Sequence, residues 1–215
     1  MEDDTPIKYF DTAEVVLGPT DQPGLCFPRS ISLIPKGTSN NRRCGKVIHV
    51  RSIEWTGILL WRYLQDPFNN ILQASMRLVL VRQKTIDPLY SVNGPPFIQV
   101  FQNTYISGNS SNICSQLNWD FMQDYEVLYN EIFEFDLQAG RFNPNINKSI
   151  VSHVINGVVE LDEPREMRFS DFAGTPQIQD VLAGHLYWYI LDHVNDPYSY
   201  GEVNLLSTRI TYSDQ

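Results

Sequence analysis

Two long apolar runs rich in β-branched residues constrain the fold of this chain more than any other feature. One covers residues 47–60 and the other lies within residues 76–84. Runs of this kind favour strands, and Pro, Gly and Asn clusters punctuate the rest of the chain. No capping signature precedes a run with helical periodicity, apart from a short turn near residues 177–182. The pattern therefore predicts an all-β chain.

The strand count and the loop lengths narrow the architecture further. Strands are predicted at residues 14–17, 46–63, 71–83, 97–101, 125–136, 148–161, 185–191 and 203–212. The long, uneven loops at 85–120 and 162–180 are expected to be functional or to form subunit contacts. We expect a single eight-stranded antiparallel jelly roll, with two packed four-stranded sheets and long inter-strand loops. Residues 1–28 are expected to form an N-terminal arm or lead-in segment, and residues 29–215 the jelly-roll domain.

Positive charge is concentrated in one segment of an acidic chain. Residues 29–84 hold ten of the sixteen Lys and Arg residues but only two acidic ones, a local balance of about +8 against a net charge of −9 for the chain. The candidate nucleic-acid-binding residues are Arg42, Arg43, Lys46, Arg51, Arg77, Arg82 and Lys84. One interpretation is that they contact phosphates without reading sequence. The alternatives are that they pair with carboxylates of a neighbouring subunit or form a solvated surface.

Catalytic and metal-binding motifs are absent from the sequence, so we expect no enzyme activity, no metal and no cofactor. Three clusters invite a functional interpretation, but a structural one is favoured for each. Asn-Asp-Pro turn chemistry accounts for Asp192, His193 and Asp196, and solvent exposure accounts for Glu131, Glu134 and Asp136. The aromatic run Tyr187-Trp188-Tyr189 is expected in a core or interface strand rather than as a stacking platform.

Cysteine usage and the absence of targeting patterns in the sequence indicate the cellular compartment. Cys26, Cys44 and Cys114 are an odd number without CxxC spacing, which predicts buried or semi-buried thiols rather than disulfides or a zinc site. The sequence lacks an apolar window of the length that a membrane span needs, and its beginning does not have the pattern of a signal peptide. We therefore expect no membrane partner.

Four segments resemble one family. The phrase Leu33-Ile-Pro-Lys-Gly-Thr-Ser-Asn-Asn-Arg-Arg-Cys-Gly-Lys-Val-Ile-His-Val-Arg-Ser-Ile resembles the early strand region of capsid proteins from circovirus-like circular single-stranded DNA viruses. This first segment, which contains the family's Arg-x-Gly-Lys turn, is the most specific of the four. Arg77-Leu-Val-Leu-Val-Arg-Gln-Lys, Tyr125-Glu-Val-Leu-Tyr-Asn-Glu-Ile-Phe and Thr208-Arg-Ile-Thr-Tyr-Ser-Asp resemble later strands of that family, in the expected order.

The resemblance implies a structural role. It implies a virion protein that self-assembles, as roughly sixty copies, into a small icosahedral shell around single-stranded DNA, with assembly in the host nucleus or cytoplasm. Such proteins usually begin with an Arg-rich arm that binds DNA and directs nuclear import, whereas this chain begins Met-Glu-Asp-Asp. Either that arm has been removed or the genome is held differently. The alternative is a carbohydrate-binding, lectin-like β-sandwich; a hydrolase on a jelly-roll scaffold has least support. A host receptor or glycan is not identifiable from the sequence.

Overall fold

Nine strands make up the regular structure of the described part of the chain. The structure is a computed structural model that describes residues 6–17, 28–64, 73–85, 100–101, 116–136, 141–143, 148–171, 174, 176–192 and 199–214. The strands are β1 (Ile7–Leu17), β2 (Arg29–Ser30), β3 (Val47–Leu64), β4 (Gln73–Thr85), β5 (Tyr125–Asp136), β6 (Arg141–Asn143), β7 (Lys148–Phe169), β8 (Val181–Asp192) and β9 (Ser199–Asp214). Single 3₁₀ turns occur at Trp119–Phe121 and Ile178–Asp180, and the second confirms the turn predicted near residues 177–182.

The strand order is that of a jelly roll. One layer has the order β1-β9-β3-β7 and the other β2-β8-β4-β5, and the strand pairs are antiparallel. The layers are joined at a corner where β7 pairs with β8 through Arg168–Ala183 and Phe169–Val181. Hydrogen bonding is continuous through this corner, so the strands form one sheet folded into two four-stranded layers, with the short β6 beside β7. The predicted fold class is confirmed.

Aromatic side chains fill the space between the two layers. The Trp55 ring on β3 lies 5.4 Å from the Trp188 ring on β8 and 4.6 Å from the Tyr129 ring on β5, measured between ring centroids. Trp188 also donates its indole N–H to the Thr208 hydroxyl on β9 at 3.0 Å. Aromatic pairs at these separations contribute attraction beyond the burial of their area. The core therefore ties both layers together through contacts distant in sequence.

A second apolar cluster lies on the outer face of the β4–β8 layer. Val79, Val81, Tyr187 and Tyr189 are buried there, and the Tyr189 ring is 5.7 Å from that of Phe101. Val100, Phe101 and Leu117 of the same chain, from the described parts of the connection between β4 and β5, belong to this cluster.

The structure corrects the extent of β7, which runs beyond the predicted end at residue 161 to Phe169. Residues 161–164, including Pro164, form an irregularity opposite Arg51, after which β7 pairs again with the beginning of β3. Pro164 is accommodated because the ladder is interrupted there. The first part of the predicted loop at 162–180 is thus strand.

The first strand is also longer than expected. β1 pairs with β9 along Ile7 to Leu17, whereas the sequence indicated a strand only at residues 14–17 within an N-terminal arm. Residues 7–17 are therefore an edge strand of a layer. The division of the chain at residue 28 remains a prediction.

Candidate nucleic-acid interface

Arg43 closes the loop that carries the densest part of the predicted basic set, between β2 and β3. Its side chain is fully buried, with the guanidinium 4.2 Å from the centroid of the Phe169 ring. It donates to the carbonyls of Ile34 at 3.1 Å, Gly45 at 2.6 Å and Ser170 at 3.5 Å. Burial lowers the pKa of Arg43, but arginine remains charged in proteins. Because its donors serve backbone carbonyls inside the subunit, Arg43 is not available to a phosphate.

A second buried cation, Lys8, fixes the side of the same loop. Its ammonium lies 2.6 Å from the Asp214 carboxylate and donates to Cys44 Sγ at 3.0 Å and the Arg42 carbonyl at 3.1 Å. Asp214 in turn accepts the Cys44 backbone N–H. Burial lowers the pKa of Lys8, but the hydrogen bonds to Asp214 and Cys44 outweigh it, so the net shift is upward. The loop is therefore held by β1 and β9 as well as by Arg43.

The exposed lysines of the loop share one carboxylate. Lys36 and Lys46 lie 2.8 and 3.2 Å from the two oxygens of Asp171, and their hydrogen bonds lower the pKa of that carboxyl. Arg42 is exposed, with its side chain against Gly37. Within the described ranges, no carboxylate lies within 4 Å of the Arg42 guanidinium. Arg42 is therefore the cation of this loop best placed to meet an external anion.

Two further members of the predicted set lie apart from the loop and from each other. Arg51 donates from Nε to the Ser213 hydroxyl at 3.4 Å on β9. Arg77 is mostly buried on β4, where it donates to the Asn130 side chain at 2.7 Å and lies 5.3 Å from the Phe101 ring centroid. Their partners are therefore internal to the subunit.

Arg82 and Lys84 meet Arg165, which the sequence did not single out, at the corner between β4, β5 and β7. Glu126 accepts from Arg82 at 3.2 Å and from Arg165 at 3.1 Å. Arg82 also donates to the Glu166 carbonyl at 2.8 Å, which links the two layers. These side chains, Lys84 and the segment around Tyr125 line a cavity of about 540 Å³. Arg165 was missed because it lies eighty-one residues beyond Lys84 and follows an acidic stretch.

A larger cavity, of about 640 Å³, lies on the outer face of the β1-β9-β3-β7 layer. Its arginine, Arg209, is engaged by both oxygens of Asp11, at 2.7 and 2.9 Å. This pairing lowers the pKa of Asp11 and raises that of Arg209. Glu54 and Glu160 also line the cavity, which makes it a poorer site for an anion than the corner.

The other sequence candidates have structural roles where they are described. Tyr187, Trp188 and Tyr189 are buried, which confirms the core interpretation and rules out a surface stacking platform. The side chains of Glu131, Glu134 and Asp136 are exposed on β5, as expected. The proposed cluster of Asp192, His193 and Asp196 lies outside the described residues or side chains.

Cysteine and metal chemistry give no further site. Cys44 is an exposed thiol, in contrast to the predicted buried or semi-buried one, and Cys26 and Cys114 lie outside the described residues. Among the described residues, no group of three His, Cys, Asp or Glu side chains is arranged to hold a metal ion. No described helix has the length and apolarity required to cross a membrane.

Comparison with known proteins gives only weak similarities. No family model and no curated protein matches the chain. Among solved structures, VP1 of Merkel cell polyomavirus in complex with GD1a oligosaccharide has 12% identity and a TM-score of 0.17, over 99% of this chain and 96% of that one. VP1 of trichodysplasia spinulosa-associated polyomavirus in complex with sialylated glycooligomers has 10% identity and a TM-score of 0.21, over 99% and 97%. The unassembled KI polyomavirus VP1 pentamer has 11% identity and a TM-score of 0.18, over 96% and 94%. At these scores the similarities carry no argument about fold or function.

Proposed function

We propose that this chain is the structural capsid protein of a circovirus-like virus. Roughly sixty copies would assemble into a small icosahedral shell that encloses single-stranded DNA. The protein would reside in the virion, after assembly in the host nucleus or cytoplasm. Its role would be structural rather than catalytic, with itself and single-stranded DNA as partners.

One observation carries this proposal: a turn within the most specific segment of the family resemblance has a structural reason in the jelly roll. The Arg-x-Gly-Lys turn is Arg43-Cys44-Gly45-Lys46. Its arginine is the buried residue that holds the loop closed, and the Gly45 carbonyl is one of its acceptors. A fold alone does not define a function. A family-like motif that serves this fold supports the function more strongly than either feature alone.

Self-association is supported by an apolar row on an exposed sheet face. Ile58 on β3 pairs with Val154 on β7 and with Leu205 on β9, so the three side chains lie side by side across the outer face of this layer. Val154 is 69% exposed and Leu205 37%. Contiguous apolar surface on a sheet favours contact with another protein surface.

The decisive experiment is to examine the purified full chain by negative-stain microscopy and by sedimentation. Closed particles of uniform diameter are expected. A protein that stays monomeric or dimeric across assembly conditions would favour the lectin-like alternative. The burial of Tyr187, Trp188 and Tyr189 removes the aromatic run as support for that alternative.

The Val154→Asp variant tests which surface assembles. A charge in the apolar row should reduce particle yield by about tenfold or more if the row is desolvated in the shell. Subunit stability should change little because Val154 is exposed. Leu182→Asp, at an exposed apolar position on β8, is the matched control. Equal particle yields for the two variants and the parent chain would contradict the assignment of this face.

A further inference from the structure

Three cations line the corner between β4, β5 and β7, where the carboxylates of Glu126 and, at 3.9 Å from Arg165, the exposed Glu163 are their ionic partners. Glu126 bridges the guanidinium groups of Arg82 and Arg165, and the Lys84 ammonium donates to the Met122 carbonyl at 3.2 Å. Within the described ranges, no carboxylate lies within 4 Å of Lys84. The groups that line this cavity therefore carry a surplus of positive charge, and Lys84 is a cation without an ionic partner there.

The chain around the corner fixes the positions of these cations. The Lys84 backbone N–H donates to the Asp124 carbonyl at 2.7 Å, and Arg82 is held by the Glu166 carbonyl. Arg165 also donates to the Glu163 carbonyl at 3.1 Å. Guanidinium groups held in this way present fixed donors that suit the oxygens of a phosphate. The carboxylate of Glu126 occupies the place between the guanidiniums that such an anion would compete for.

An exposed tryptophan lies one turn away from the cavity. Trp119 is 70% exposed and begins the 3₁₀ turn that leads to Met122. The Met122 N–H donates to the Trp119 carbonyl at 3.3 Å, while the Met122 carbonyl accepts from Lys84. A 3₁₀ turn of three residues spans about 6 Å. An exposed indole and a cationic cavity joined by one short turn of backbone supply the two elements by which proteins hold single-stranded nucleic acid: base stacking and backbone neutralisation.

We propose that this corner binds a nucleotide of single-stranded nucleic acid, with its phosphate at Lys84, Arg82 and Arg165 and a base against Trp119. The inference deepens the proposed function and rests on it only for the identity of the DNA. It also moves the main site away from the loop at residues 36–46, where Arg43 is buried, the two lysines already share Asp171 and only Arg42 is exposed without a carboxylate partner among the described residues. Contact through phosphate and a stacked base predicts binding with little sequence preference.

Intrinsic fluorescence offers a direct test with the full chain. Trp119 is the exposed tryptophan, while Trp55, Trp61 and Trp188 are at most 4% exposed, and these four are all that the sequence contains. Titration with a short oligothymidylate should quench the exposed component, and a thymidine monophosphate should do so more weakly. Inorganic phosphate should compete without quenching. Trp119→Phe should abolish the quenching signal while binding persists in a filter or anisotropy measurement.

Charge variants test the phosphate contact. Lys84→Gln should weaken oligothymidylate binding by roughly three- to tenfold and reduce the slope of log affinity against log salt by about 0.7, the value for one single-strand phosphate contact. Glu126→Gln should tighten binding, because it removes the competing carboxylate. Arg209→Gln, which removes one cation from the opposite layer's outer surface, is the matched control and should leave the slope unchanged. If Glu126→Gln does not fold, the salt dependence of binding by Lys84→Gln still tests the phosphate contact.

The outcomes separate this inference from the proposed function. Particles without oligothymidylate quenching, or an unchanged slope in Lys84→Gln, would overturn the nucleotide site and leave the shell role intact. Quenching in a chain that never forms particles would support the site and count against the shell. If a sulfated oligosaccharide of equal charge bound more tightly than oligothymidylate, the corner would be a glycan site and the inference would be wrong.

Discussion

The loop at residues 36–46 and the corner of β4, β5 and β7 both concentrate basic side chains, but they hold them differently. In the loop, Arg43 is buried against three carbonyls, and Lys36 and Lys46 share Asp171. At the corner, two arginines share one carboxylate and Lys84 has a carbonyl as its acceptor. Dense clustering in sequence therefore does not make a cation available: of the loop's cations, Arg43, Lys36 and Lys46 are engaged within the subunit, and Arg42 is the exposed exception. The availability of a cation depends on its burial and on its nearest carboxylates, not on the local density of Lys and Arg.

The largest effect is expected on stability, from substitution of the buried Arg43. Arg43→Met should lower the free energy of unfolding by about 3–5 kcal/mol, because it leaves buried carbonyls without donors. Arg42→Met, at the adjacent exposed position, should change it by less than about 0.5 kcal/mol. Guanidinium denaturation followed by tryptophan fluorescence measures both. Similar losses in the two variants would show that Arg43 is not the residue that closes the loop.

His185 can be compared with Arg43, because both are buried bases but His185 is neutral in the folded chain. It is fully buried, with Ser30 Oγ 2.6 Å from Nε2 and Tyr187 Oη 3.0 Å from Nδ1. Burial lowers the pKa of His185 to about 3. Arg43, in contrast, keeps its proton because its ordinary pKa is far higher and three carbonyls accept from it.

The consequence is an acid-dependent loss of stability. The unfolded chain protonates His185 below about pH 6.5, whereas the folded chain keeps it neutral, so the stabilisation is complete above pH 6.5 and is lost as the pH falls towards 3. Between pH 6.5 and 4.5 the loss should be about 2 kcal/mol. His185→Gln should remove this component from a series of denaturation curves, leaving the contributions of the carboxylates. Parallel curves for parent and variant would contradict the assignment.

The smallest effect is expected on binding affinity, when the lysines of the loop are released from their carboxylate partner. Asp171→Asn would release Lys36 and Lys46 from their shared partner and should tighten oligothymidylate binding by about twofold at low salt. Asp11→Asn, which releases Arg209 on another surface, is the matched carboxylate control. Equal gains in the two variants would show that only net charge matters. No gain in Asp171→Asn would exclude Lys36 and Lys46 from nucleic-acid contact.

Local sequence patterns predicted most of the strands, but they did not predict which structural environment each basic residue occupies. The alternation in residues 130–136 and the β-branched runs correspond to β5, β3 and β4, because strand formation and facing follow the period-two pattern. The seven candidate cations scatter over separate environments, since neighbours on a strand point to opposite faces. Arg77 and Arg82 show this, one on the outer apolar cluster and the other at the inter-layer corner.

Gly157 is a second case in which the local sequence does not reveal a tertiary contact. Asn-Gly is a common turn sequence in hairpins, but β7 pairs regularly at Asn156-Gly157, where Gly157 lies opposite Trp55. A Cβ at Gly157 would lie 2.3 Å from the Trp55 ring. The glycine is thus explained by a cross-strand neighbour about one hundred residues away, which no local signal identifies.

The sequence by itself determined the all-β class, the jelly-roll architecture, the short turn at Ile178–Asp180 and the buried position of the aromatic run on β8. These features follow from periodicity and turn chemistry, which act over a few residues. Only the tertiary structure decided that Arg43 is enclosed, that Glu126 joins Arg82 to Arg165, and that the short turn begun by the exposed Trp119 ends at Met122, whose carbonyl accepts from Lys84. Burial and ion pairing depend on which distant strands meet, and strand order in a jelly roll brings together segments that the sequence keeps far apart.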